Sequence, residues 1–315
     1  MAESKLIAVL GATGAQGGGL VRAICGDPAG GFRARAITRN VDSEKAKALA
    51  ALGAELVAAD ADDVDSLKRA FQGAYGAFCL TNYWEYMSPD REKAQALALA
   101  EAARVAGVTH AIWSTLEDTR RYIPLDDPRM PTLMEKYKVP HFDAKGESDH
   151  YFTDRAVPVT FLLTSFYWDN FIYFGMGPKK GSDGRYAITL PLGDHKLPSI
   201  AAEDIGRCAY AILRRPDLIG KRVGIAGEHL SGSEMAAELG RALGLEVAYN
   251  PIPPEVYRQF GFPGADDLGN MFQFNHDFAD MFLAVRSPEE TRKLDPQVQT
   301  FAQWLARNKS RIPIE

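Results

Sequence analysis

One stretch near the start of the chain, Ile7-Ala8-Val9-Leu10-Gly11-Ala12-Thr13-Gly14-Ala15-Gln16-Gly17, limits the fold more than any other. A short apolar run suited to a buried parallel strand ends at Gly11, and a helix is expected to open near Gln16. Glycines stand at 11, 14 and 17, with Gly18 and Gly19 behind them. This spacing suits a dinucleotide pyrophosphate. Gly11 permits a tight turn, Gly14 lets backbone N–H groups approach the phosphates, and Gly17 lets the helix pack closely on the strand. Thr13 and Gln16 lie in the same loop as candidate contacts. The helix start adds N–H groups and the positive end of its dipole. The competing reading is a glycine-rich turn without a ligand. The strand before the turn and the helix after it favour the nucleotide.

Strand and helix signals then alternate. Strands are expected over 6–11, 32–38, 55–60, 77–81, 111–115 and 159–164. Helices are expected over 16–25, 43–52, 64–71, 89–105 and near 143–152. Short strands separated by helices imply right-handed crossovers and a parallel sheet covered on both faces. The fold class is therefore α/β: a Rossmann-type, doubly wound parallel sheet over 1–157. A smaller α+β carboxyl-terminal lobe over 158–315 returns some strands to it. Ser231 or Ser233 is expected to cap a helix over 234–243, with Gly244 as its stop. Nine aromatic residues between Tyr257 and Trp304 read as the core of that lobe.

The segment 116–140 interrupts the rhythm with prolines at 124, 128, 131 and 140 and many charges. So long a loop is usually functional, so it is expected to act as a lid or a protein-partner surface. The net charge of -5 and the lack of a basic run exclude a general nucleic-acid footprint. No apolar span of membrane length occurs. With so few residues ahead of the first strand, no signal peptide is expected. Cys25, Cys79 and Cys208 lie far apart in apolar segments and read as buried, reduced thiols. A cytoplasmic location follows as the expectation.

At the end of the second strand, Ala36-Ile37-Thr38-Arg39-Asn40 carries no carboxylate. A carboxylate there would hold the ribose hydroxyls of NAD and repel a 2′-phosphate, whereas Arg39 can clasp that phosphate. NADP(H) is the expected cofactor. Asp60 and Ala61 close the third strand near the adenine. Thr81 and Asn82 close the fourth, on the path of the pyrophosphate and second ribose.

These motifs resemble the NmrA-like family of atypical short-chain dehydrogenases. The resemblance rests on Gly-Ala-Thr-Gly-Ala-Gln-Gly-Gly at 11–18, Ile-Thr-Arg-Asn at 37–40 and Leu-Thr-Asn-Tyr-Trp-Glu at 80–85. It also rests on His-Phe-Asp-Ala-Lys-Gly-Glu at 141–147 and Phe-Gly-Phe-Pro-Gly-Ala-Asp-Asp-Leu at 260–268. The resemblance implies a Rossmann domain with a smaller lobe. It matches Arg39 to the arginine of the 2′-phosphate and Lys145 to the lysine near the nicotinamide ribose. Some members of the family are described as NADP(H) sensors or co-regulators that act through protein partners, and others as reductases.

Carbonyl reduction needs a proton donor at the developing alkoxide. Short-chain dehydrogenases place a Tyr four residues before a Lys; here that position is His141. Tyr137 would lie ~12 Å further along a continuous helix, and Pro140 argues against such a helix. Two readings follow. In one, Lys145 grips ribose hydroxyls, Ser114 or Thr115 supports the nicotinamide side, and the protein senses redox state. In the other, His141 is the catalytic acid of a reductase acting on a small carbonyl, quinone or enone. Where related dehydrogenases carry a loop proline that shapes the carboxamide site, this chain has Ser165. His141, Asp143, Glu147 and His150 lack metal-ligand spacing, so no metal is expected.

Overall fold

The computed structural model describes residues 4–314. Its first strands are β1 Lys5–Leu10, β2 Phe32–Thr38, β3 Glu55–Ala58, β4 Gly76–Cys79, β5 His110–Thr115, β6 Val159–Leu163 and β7 Phe166–Tyr167. They are followed by β8 Lys179–Lys180, β9 Tyr186–Leu190, β10 Lys196–Ile200, β11 Arg222–Gly224, β12 Glu228–Ser231 and β13 Val247–Pro251. The helices that bear on the site are α1 Ala15–Cys25, α2 Glu44–Ala51, α3 Val64–Phe71, α4 Tyr83–Tyr86, α5 Pro89–Val105 and α6 Pro140–Glu147.

The chain forms two compact units. The first takes the residues up to Asp118 together with Ala144–Thr164 and Glu203–Val223. The second takes Thr119–Asp143, Ser165–Ala202 and the chain from Gly224 onward. The units interleave in sequence, whereas the sequence pattern suggests a single change at 157/158. The return at Glu203 has a steric cause: the helix Ala202–Leu213 lies directly on α1. A Cβ on Gly19 would meet the Glu203 carbonyl oxygen at 2.5 Å, and one on Gly206 would meet the Leu20 nitrogen at 2.1 Å.

In the first unit the sheet order is β11-β6-β5-β4-β1-β2-β3. β1 runs parallel to both β2 and β4. β4, β5 and β6 are buried throughout, as expected of strands covered on both faces. Leu67, Phe71, Leu99, Trp113, Phe152 and Phe161 share the core on one face. After β3 the chain crosses back to β4 on the other side of β1, so the strand order reverses beside β1. Ligands of open α/β sheets bind beyond the carboxyl ends of the strands at such a reversal.

The expected helix near 143–152 is two helices, α6 and Asp149–Thr153. The Ser148 hydroxyl donates back to the Ala144 carbonyl at 2.7 Å, a local bond that competes with helix continuation. α6 begins at Pro140, where a ring without an N–H costs least.

In the second unit β10 pairs antiparallel with β12 and parallel with β7, and β9 joins β13 and β8. The turn between β8 and β9 has Gly184 at φ +81°. Ser231 and Glu234 form a reciprocal capping box, and Gly244 ends that helix at φ +70°. Tyr257, Phe272, Phe274, Phe282, Phe301 and Trp304 are buried, while Phe260 and Phe262 are exposed. Residues 119–143 are tied down. The fully buried Lys138 ammonium donates to the Asp127 and Met130 carbonyls at 2.9 and 2.6 Å. Asn270 donates to the Pro131 and Lys138 carbonyls. Among the described residues no helix is long and apolar enough to cross a membrane.

Candidate functional site

The β1–α1 loop is built by glycine contacts that no other residue permits. Gly11 takes φ +63°, a conformation L side chains resist. A Cβ on Gly17 would lie 2.5 Å from the Gly11 carbonyl oxygen and 2.9 Å from that of Leu10. Gly14 is the N-cap of α1, and among the described residues no side chain caps that helix start. The loop thus leaves a glycine-walled cradle ahead of a helix N-terminus, with half-buried Thr13 in it. Such a cradle fits a pyrophosphate. Gln16 reaches across the sheet end, its Oε1 accepting from the Ser114 hydroxyl at 2.9 Å.

At the tip of β2 the Arg39 side chain is about half exposed and ion-paired to Glu85. Asp60 stays local, its carboxylate accepting from the Asp62 N–H at 3.0 Å. Asp62 pairs instead with Arg91 and accepts from Gln95. The hydrogen bonds from Arg91, then Gln95, hold the Asp62 carboxyl below its usual range. Ala61 adjoins them, and Asn82 is the exposed N-cap of α4.

Thr81, Glu92 and Lys145 form a buried cluster. The Lys145 ammonium lies 2.6 Å from Glu92 Oε1 and donates to the Thr81 hydroxyl at 2.8 Å and its carbonyl at 3.0 Å. The Thr81 hydroxyl donates to Glu92 Oε1 at 2.7 Å. Glu92 is 2% exposed, so its charge is compensated by Lys145 and Thr81 rather than by water. Lys145 is therefore held at the end of β4, beside the reversal of strand order, and is not a solvated surface charge. Lys145→Met leaves Glu92 buried without its cation and is expected to lower unfolding stability by about 3–5 kcal/mol. Lys145→Met combined with Glu92→Gln should recover much of that loss in urea denaturation, the non-additivity measuring the pair.

Thr115 does not open toward a ligand. Its hydroxyl donates to Asp149 at 2.7 Å, and Asp149 also accepts from Trp113 and Arg222. Desolvation pushes the Asp149 carboxyl above its ordinary value against the pull of Arg222.

In the second unit His141 is buried, its Nδ1 2.6 Å from Asp267 Oδ1. The His141 backbone N–H donates to the other oxygen of that carboxylate. Asp143 accepts from the N–H groups of Thr119, Lys138 and Val139. Glu147 pairs with Lys93, and His150 with the Glu147 carbonyl. These four side chains thus have separate partners. Ser165 is buried, and its hydroxyl finds no partner among the described residues.

Sequence reasoning missed Glu92, Glu85 and Asp267. Glu92 looks like a first-turn acid of α5. Glu85 and Asp267 fall within motifs but carry no spacing cue of their own.

The sheet, its reversal beside β1 and the glycine cradle define a Rossmann-type dinucleotide fold. Within that class the chain belongs to the NmrA-like family, whose family model matches residues 3–305. It is similar to the NmrA-like family domain-containing oxidoreductase FrzB of a Cladobotryum species. The two are 29% identical, over 90% of this chain and 88% of that protein. It is similar also to a crystal structure of NmrA, a negative transcriptional regulator, in complex with NADP. That match has a TM-score of 0.77 and 25% identity over 96% of this chain and 95% of that one. A second crystal structure of NmrA, in complex with NAD, matches with TM-score 0.78 and 25% identity over the same shares.

Proposed function

We infer that this protein binds NADP(H) at the carboxyl ends of β1, β2 and β4. The observation that carries this reading is the glycine cradle ahead of α1, where Gly11, Gly14 and Gly17 keep side-chain bulk out of the turn that leads into the helix. Gly11, Thr13, Gly14, Gln16 and Gly17 would hold the diphosphate. Arg39 would hold the 2′-phosphate, with Asp60 and Ala61 near the adenine. Thr81, Asn82 and Lys145 would meet the second ribose. The NmrA complexes with NADP and NAD support the cofactor class.

The binding event serves sensing rather than turnover. The position four residues before Lys145 is His141, not the tyrosine of hydride-transferring relatives. The described role of NmrA as a transcriptional regulator supports a partner-mediated readout. Tyr122, Leu125 and Met134 are exposed apolar side chains within 116–140 and are the surface proposed to meet that partner.

A reductase reading is favoured by one observation. Asp267 fixes the ring of His141 as a carboxylate orients a general acid, and FrzB is named an oxidoreductase. NADPH would supply hydride, and His141 would supply the proton to a small carbonyl, quinone or enone. Fluorescence titration with NADPH and NADH tests binding; equal weak affinity for both removes the Arg39 argument. Steady NADPH oxidation with a carbonyl or quinone panel, lost in His141→Ala, decides for the reductase.

A further inference from the structure

The Arg39 fork already holds an anion, and that anion belongs to the chain. Arg39 Nη1 lies 2.5 Å from Glu85 Oε1, and Nη2 lies 3.2 Å from Oε2. This two-point grip is the geometry by which a guanidinium takes phosphate or carboxylate. The Tyr86 hydroxyl donates to Glu85 Oε1 at 2.7 Å and accepts from Arg39 Nη1 at 3.2 Å. The Arg91 guanidinium stacks 3.2 Å above the Tyr86 ring and pairs with Asp62. A single chain of contacts thus joins the tip of β2, the segment after β3, the end of α4 and the start of α5. α4 ends at Met87, held in the left-handed region at φ +49°.

We propose that Glu85 is a built-in competitor for the 2′-phosphate, occupying Arg39 until a phosphorylated adenosine displaces it. Glu85 then sets the selectivity between NADP(H) and NAD(H), and residues 83–87 are released only by the phosphorylated cofactor. This inference rests on the reading that the β2 tip receives the adenosine half.

Charge gives the reason for exchange. A carboxylate and a phosphate dianion cannot share one guanidinium without strong like-charge repulsion. NAD(H) carries no such phosphate, so it leaves the Arg39–Glu85 pair closed. The side chains are 57% and 31% exposed. A pair this solvated is weak enough to break, worth a factor of about two to five in an equilibrium. Loading with either cofactor therefore yields two different surfaces at α4, which a partner can tell apart.

The test compares wild type with Glu85→Gln by fluorescence titration with NADPH and NADH. Circular dichroism verifies that the variant is folded. NADPH affinity is expected to rise about fivefold in the variant, with NADH affinity unmoved. In wild type, NADPH should speed hydrogen exchange of peptides spanning 83–87, and NADH should not. Weaker NADPH binding by Glu85→Gln would mean that Glu85 orients Arg39 and would overturn the proposal. Equal shifts for both cofactors, an unmoved NADPH affinity, or identical exchange with either cofactor would overturn it too. Wild type that binds neither cofactor would instead overturn the site itself.

Discussion

Gly17→Ala is expected to lower NADPH affinity by about a hundredfold, the loss of about two N–H contacts to a charged phosphate at ~1.5 kcal/mol each. It should also cost about 1–3 kcal/mol of unfolding stability, the usual penalty of overpacking. The added Cβ would sit 2.5 Å from the Gly11 carbonyl oxygen, 2.8 Å from its carbon and 2.9 Å from the Leu10 oxygen. All three are backbone atoms, two of them in the tight turn itself, so no side-chain rotation relieves the clash. The loop must open or α1 must slide, and either movement misaligns the N–H groups proposed to hold the diphosphate. Gly224→Ala is the control, since its Cβ would meet the Val285 carbonyl oxygen at 2.1 Å, a backbone clash within the second unit. That variant should lose stability yet keep NADPH affinity below its melting temperature. Gly17→Ala with wild-type affinity would show that the cradle holds no ligand.

The parts of this fold that were legible in the sequence are those specified locally. β2, α3 and α5 lie where the sequence pattern puts them. Ser231 caps the helix that follows it, and Gly244 stops it. The glycine cradle was legible because each glycine answers one steric demand. The short strands β7, β10 and β12 were not, since their pairing partners are distant in sequence and their side chains carry no alternation. Nor was the anchoring of 119–143: a lysine among loop residues looks solvated until its carbonyl partners are known. Glu92 shows the same limit at the candidate site. Its helix position reads as a favourable dipole charge, and only the fold sets it beneath Lys145.

Arg39→Gln is expected to lower NADPH affinity by about thirtyfold or more, given ~2 kcal/mol or more for a charge-assisted contact to a phosphate. NADH affinity should stay within about twofold of wild type, since in the proposed site the lost group meets only the 2′-phosphate. The size of the effect depends on solvation. The Arg39 side chain is 57% exposed and hydrogen-bonded to both Glu85 and Tyr86, and the Glu85 hydrogen bond and charge keep it firmly protonated. A charge so exposed is screened, so the NADPH preference of wild type should shrink between low and high salt, whereas Arg39→Gln should show little salt dependence of its preference. Arg39→Lys discriminates between charge and shape. An ammonium keeps the attraction but not the planar two-point grip, so an intermediate loss of NADPH affinity is expected. Equal losses for NADPH and NADH in Arg39→Gln would mean that this residue supports the loop rather than reads the phosphate. The strand tip, rather than the glycine turn, is where the two dinucleotides differ chemically. Selectivity between them therefore has to be sought among Arg39 and the groups that hold it.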